Sequence, residues 1–158
     1  RKGIDQRELA LDEFYRSYQV NDLQPGEFVA AIRVPLPDDG VIVSSQKWSK
    51  RFDQDISAVC TAYRLQLDGD TVVSFRMACG GLAEIVKRAS ACETAVNGAA
   101  WSAETIDGAC DALAIDFSPI TDMRASADMR LVAVQNLLRR FWLETSGEAP
   151  QTVYTYGR

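Results

Sequence analysis

Five charged side chains crowd one short stretch, KWSKRFDQDIS (Lys47–Ser57): Lys47, Lys50 and Arg51 are basic, Asp53 and Asp55 acidic. Two runs with strand character flank it, and a simple hairpin needs only two to five residues to turn. Two readings fit this excess of charge. In one, the stretch is a hydrated loop with local ion pairs. In the other, Lys47 and Arg51 face an anionic or electron-rich ligand while Asp53 and Asp55 hold the loop by charge-assisted hydrogen bonds. The residue types alone do not name the ligand.

Other candidates are weaker. Cys79-Gly80-Gly81 offers a thiol beside backbone N–H groups, but no general base accompanies it, so it reads as a strand end where glycine permits close packing. Arg139-Arg140 reads as the solvated face near a helix C-terminus, where positive charge is favourable. Trp101, Phe141 and Trp142 read as core or interface residues. The chain has no histidine, which removes Ser-His-Asp and Cys-His catalysis and His-ligated zinc. Its four cysteines, Cys60, Cys79, Cys92 and Cys110, stand too far apart for zinc or iron–sulfur spacing. They are expected to be free thiols in a reducing cytoplasm.

Elements that could position the charged stretch follow from periodicity. FVAAIRVP (28–35) alternates like a strand with one buried face, stopped by Pro35, Pro37 and Asp38-Asp39-Gly40, a candidate domain boundary. Leu11–Glu27 reads as irregular, with a Pro25-Gly26 turn. VIVSSQKWSK is a strand entering the charged stretch. SAVCTAYRLQLDGDTVVSFRMACGG is a hairpin turning at Asp68-Gly69. Val59, Tyr63, Leu65 and Leu67 share one face of it, with Val73, Phe75 and Met77 on the return strand. Ala58, Cys60 and Ala62 make a small face that would let another layer approach closely.

After Gly81 the period becomes helical. A short helix over 88–97 ends at Asn97-Gly98. Ser102 caps a second helix carrying Ile106, Cys110 and Leu113. A third, over about 125–145, carries Leu131, Val134, Leu138 and Phe141, with Arg130, Asn136, Arg139 and Arg140 placed off that stripe. Strands followed by helices imply an α+β sandwich: an antiparallel sheet of three to four strands packed against about three helices.

Net charge is −5 over 158 residues, which argues against a general nucleic-acid binder. No apolar run reaches membrane-spanning length, and RKGIDQREL lacks the apolar segment of a signal peptide. There is no GxGxxG, no P-loop and no internal repeat.

Five segments in order carry a resemblance. FYRSYQVNDLQPGEFVAAIRVP has an aromatic pair, a Tyr, Leu-x-Pro-Gly-Glu and a strand ending in Pro. KWSKRFDQDIS matches a Lys-x-x-x-Arg-x-x-x-Asp-Ile segment. ACGGLAEIVKRASACE, WSAETIDGACDAL and DMRASADMRLVAVQNLLRRF follow. Over about residues 8–145 the chain resembles the C-terminal part of the FAD-carrying small subunit of bacterial xanthine dehydrogenases. More broadly, it resembles molybdenum hydroxylase flavoproteins, carbon monoxide dehydrogenase included.

The resemblance implies the rest. An upstream region would carry two 2Fe–2S clusters, a central domain would bind FAD, and a separate large subunit would hold molybdopterin. Electrons from purine oxidation would pass through the clusters to FAD and then to NAD. The chain would comprise the end of an FAD-binding domain (1–38), a C-terminal α+β domain (39–147) and a tail (148–158), inactive alone. Val29 and Lys47 would contact FAD. Arg51 and Gln54 would lie beside the flavin and the NAD approach, with Gln54 replacing an acid found in some relatives. The alternatives are the flavoprotein part of a carbon monoxide or aldehyde-type hydroxylase, or a non-enzymatic interaction module.

Overall fold

Alternation of apolar and small or polar residues builds a four-stranded antiparallel sheet in the computed structural model, which describes residues 1–51 and 53–147. Its strands run in the order β3 (Val41–Trp48), β4 (Val59–Asp68), β5 (Thr71–Gly80) and β6 (Lys87–Arg88). The β4–β5 turn falls at Asp68-Gly69, where Gly69 takes a φ of +55° that glycine adopts without the Cβ penalty. Val59, Tyr63, Leu65, Phe75, Met77 and Cys79 fill the buried face. One expected core residue differs. A register shift at Gln66/Leu67 pairs Leu67 with Val72, so Val72 is 1 % exposed and Val73 55 %. The bulge inserts one extra residue and turns Val73 to the other side.

The three helices over this face are α2 (Ser90–Val96), α3 (Ala103–Asp116) and α4 (Ala127–Thr145). Ser102 and Ser126 cap α3 and α4, accepting from the N–H groups of Thr105 and Met129. Ala89 cannot cap α2; the Asp116 carboxylate does so from the end of α3, accepting from Ala91 and Cys92 N at 2.9 and 3.0 Å. From α3, Ile106, Cys110 and Leu113 are buried, and from α4, Val134, Leu138 and Phe141. The Phe141 ring stacks on Tyr63 at 4.3 Å between centroids and 4° between planes. Arg130, expected off the apolar stripe, is 3 % exposed.

Helix α2 also completes the outer edge of β5. The Asn97 side-chain oxygen accepts from Phe75 N at 2.7 Å, and its amide donates to Phe75 O at 3.1 Å, as a neighbouring strand would. A Glu93 carboxylate oxygen accepts from Met77 N at 2.9 Å and is paired with the Arg88 guanidinium. Backbone groups of Ala89, Gly98 and Ala99 satisfy the rest of that edge.

The N-terminal region differs from expectation. Residues 28–38 form no strand, and Phe28, Val29, Ile32 and Val34 are exposed. Alternation supplies a face but not a pairing partner, and no strand lies beside this segment among the described residues. Upstream, α1 (Leu11–Phe14) leads into a small ribbon of β1 (Tyr15–Ser17) and β2 (Val20–Asn21). Arg7 ties this region together through Asp22 and Glu27. The tail expected at 148–158 lies outside the described residues. Among those described, no helix is long and apolar enough to cross a membrane.

Leu138 is fully buried between helices and sheet. Leu138→Ala is expected to cost about 2–5 kcal/mol by chemical denaturation, from lost transfer energy and the cavity left behind; a loss under ~0.5 kcal/mol would place the stripe at solvent.

Candidate functional site

Strand parity decides where the charged stretch begins. Gln46 and Trp48 of β3 point toward the helices, and Gln46 donates to Glu144 of α4 at 2.8 Å. Ser45 and Lys47 therefore point away from them, onto the sheet's other face. Register places Lys47 opposite Cys60 and Cys60 opposite Gly80, with the row Ser45–Ala62–Ala78 beside it. These small residues floor a hollow of about 330 Å³, with Lys47 and Val86 at its edges. Gly80 permits this arrangement: a Cβ there would meet the Cys60 Sγ at 2.6 Å. Of the small face predicted to take another layer, Ala62 is exposed and Cys60 half-buried, whereas Ala58, ahead of β4, is buried.

The loop after β3 is pinned by Lys47. Its Nζ donates to the carbonyl oxygens of Gln54 at 3.0 Å and Asp55 at 3.3 Å. The expected carboxylate anchors are absent among the described residues: Asp53 and Asp55 are exposed and pair with neither Lys47 nor Arg51. Two carbonyls gathered over one ammonium hold a loop without fixing two long side chains. Gln54 N donates to Arg51 O at 3.2 Å, and Ala58 N to Trp48 O at 2.9 Å, closing the loop.

The four sequence-predicted residues thus divide. Lys47 and Gln54 meet through the Gln54 carbonyl, and Arg51 joins them through the backbone, its side chain exposed. The Gln54 residue also lines a second hollow of about 170 Å³, with Lys50, Ile56, Ala58, Met123 and Arg124. Val29 lies exposed in the strand-free segment and lines neither hollow.

Arg130 frames the far end of the loop. One guanidinium nitrogen donates to both Ala58 O and Gly81 O at 2.6 Å, and the other to Asp122 Oδ1 at 2.6 Å. Gly81 has a φ of +83°, and a Cβ there would collide with the Ala58 carbonyl. The Cys79 thiol is buried, and burial pushes its pKa well up, which suits a packing role and not a nucleophile. Cys92 behaves alike, and burial raises Cys110 to about 11. All four cysteines are free. Arg139 and Arg140 pair with Asp107 at 3.0 Å and Glu144 at 2.7 Å on the solvated side. Trp101 is core, its Nε1 donating to Thr145 at 2.9 Å.

Residues 44–145 match the model of the CO dehydrogenase flavoprotein C-terminal domain. The chain belongs to that family, the flavoprotein C-terminal region of molybdenum hydroxylases. Among individual relatives, nicotinate hydroxylase hnxS of Emericella nidulans is 28 % identical over 149 residues, covering 90 % of this chain and 11 % of the relative. Xanthine dehydrogenase of the same organism is 30 % identical over 114 residues, covering 70 % and 8 %. The structure of the carbon monoxide dehydrogenase from Hydrogenophaga pseudoflava that lacks the Mo-pyranopterin moiety superposes with a TM-score of 0.76. It is 27 % identical, covering 82 % of this chain and 45 % of that one. The chain thus spans about a tenth of the length of the two fungal relatives and just under half of the bacterial one.

The Arg130 junction gives a pH signature. Backbone N–H of Arg124 and the Arg130 guanidinium hold the Asp122 carboxyl at about 2, below its unfolded value. A depressed folded pKa stabilises above the unfolded pKa, and that contribution is lost as pH falls from about 4 toward 2. The thermal midpoint of wild type should therefore approach that of Asp122→Asn across this window, with wild type the more stable at neutral pH. A constant difference down to pH 2 would contradict the pairing.

Proposed function

We propose that this chain is the C-terminal flavoprotein segment of a xanthine dehydrogenase-type molybdenum hydroxylase, helping to hold FAD and pass electrons from purine oxidation to NAD. The observation that carries the reading is the Lys47 ammonium at the edge of the small-residue hollow. Two of its three N–H groups are used on Gln54 and Asp55 carbonyls, which leaves one for an acceptor outside the chain. The floor of Cys60, Ala62, Ala78 and Gly80 is low enough that it would accept a flat ring, and a Cβ at Gly80 would press on the Cys60 Sγ. Bound FAD would supply the hydride and single-electron chemistry. Lys47 would place positive charge at the flavin edge, while Arg51 and Gln54 of the pinned loop would shield it on the acceptor side. Val29 would contact FAD from the preceding domain.

On this reading residues 1–38 end an FAD-binding domain and 39–147 form the C-terminal domain. The exposed apolar side chains of 28–34 would be covered by the remainder of the FAD-binding domain. The iron–sulfur clusters would lie upstream in the same subunit, and molybdopterin in a large partner subunit. Unpaired buried thiols suit the reducing cytoplasm. A second reading, a carbon monoxide, aldehyde or nicotinate-type hydroxylase, is supported by the extent of the match to nicotinate hydroxylase. Substrate would be chosen at molybdenum, away from this chain.

In the assembled enzyme, Lys47→Ala is expected to lower FAD occupancy and slow NAD reduction. Purine oxidation by an artificial acceptor that draws electrons upstream of the flavin should stay nearly intact. Equal loss in both assays would signal misfolding and sink the assignment. The isolated chain should bind FAD more weakly than micromolar and oxidise no NADH; sub-micromolar binding in a titration would overturn the division into domains. A stable apo domain with no flavoprotein partner would favour a non-enzymatic interaction module.

A further inference from the structure

The sheet face away from the helices carries a second feature, one same-face row along from the floor of the hollow. Register sets Arg64 of β4 directly opposite Arg76 of β5, with Val43 of β3 completing the row. Like charges directly opposite across two strands are destabilising. Arg64 donates to Ser74 Oγ at 3.2 Å, which orients its guanidinium, while Arg76 is exposed. Among the described residues, no carboxylate pairs with either one. Nor does the sheet offer one between this row and that of Lys47: the intervening row is Ser45–Ala62–Ala78. A chain of net charge −5 thus sets two unpaired cations side by side on an open sheet, next to an exposed valine.

We propose that Arg64 and Arg76 form a docking surface for a separate protein chain that presents paired carboxylates to the two guanidiniums and an apolar contact to Val43. Charge complementarity selects the partner. Two adjacent forks suit carboxylates in bidentate geometry. Neither arginine lines either of the two hollows described above, and small-molecule sites are concave, so this face fits a protein surface better than a free anion. A nucleic acid fits poorly, because a strand of phosphates would meet the net negative charge of the remaining surface. The inference rests on register and charge and is independent of the flavin reading.

The test uses the full chain with an oligoglutamate peptide as probe, followed by fluorescence anisotropy at low and high salt. Arg64→Gln/Arg76→Gln should weaken binding roughly five-fold or more, as expected for losing two exposed ion pairs, and should flatten the salt dependence. Lys2→Gln/Arg33→Gln removes the same charge elsewhere and should bind like wild type. In the free chain, Arg76→Gln should raise the thermal midpoint by ~1–3 °C, because it relieves the like-charge pair. Unchanged affinity in the Arg64/Arg76 variant, equal loss in the control, or equal binding of oligouridylate would overturn the proposal. So would a lower midpoint for Arg76→Gln, which would make that arginine structural.

Discussion

A buried guanidinium needs acceptors, and Arg130 joins sheet to helix by finding them for both terminal nitrogens, its buried Nε alone having none. Its carbonyl partners are the residue before β4 and the residue after β5, and its carboxylate partner is in the connection before α4. The longest helix is thereby fixed to the sheet at one end, while Phe141 stacks on Tyr63 further along. Removing the Asp122 carboxylate would leave the buried Arg130 charge without its counter-ion, while its two carbonyl partners remain. The contact holds the carbonyl of Ala58, the residue on which the Lys47 loop closes and whose carbonyl a Cβ at Gly81 would strike. The site geometry is thus a dependent of the core.

Much of this was legible in the sequence, and the failures have physical reasons. The hairpin, its Asp-Gly turn and the α4 stripe follow from local periodicity and turn chemistry, which need no knowledge of distant residues. Val73 was misplaced because a bulge changes the period by one residue and leaves no mark in composition. Arg130 was set off the stripe because it is charged. Yet it stands four residues before Val134 and eight before Leu138, on the same helical face, and a cation at that spacing is itself a signal of a buried, bonded group. Residues 28–34 alternate correctly but need a pairing partner that the pattern does not supply.

The candidate site was legible by type more than by mechanism. Lys47 stood out through the density of charge around it, and the small residues at 58–62 through their alternation. What could not be read was that the lysine would hold main-chain carbonyls while the nearby aspartates stayed free. Side-chain formula predicts charge partners; the backbone acceptors appear only when the loop has a path. Likewise the opposition of Arg64 and Arg76 depends on register, which is set by the whole hairpin and not by either residue.

The completed edge of β5 has a geometric consequence for assembly. Helix α2 covers that edge with Asn97, Glu93 and backbone groups, so another chain cannot extend the sheet there without dislodging the helix. Among the described residues β3 is the terminal strand on the other side, with its outer row of peptide groups available for pairing. The sheet is therefore directional: one border is the long strand β3, and the other is only the two-residue β6 beside the helix-covered part of β5. The β3 border ends at Trp48, where the Lys47 loop begins. A strand joining the sheet would run along the rim of the hollow and narrow its entrance, so lateral pairing and access to the hollow are sterically linked.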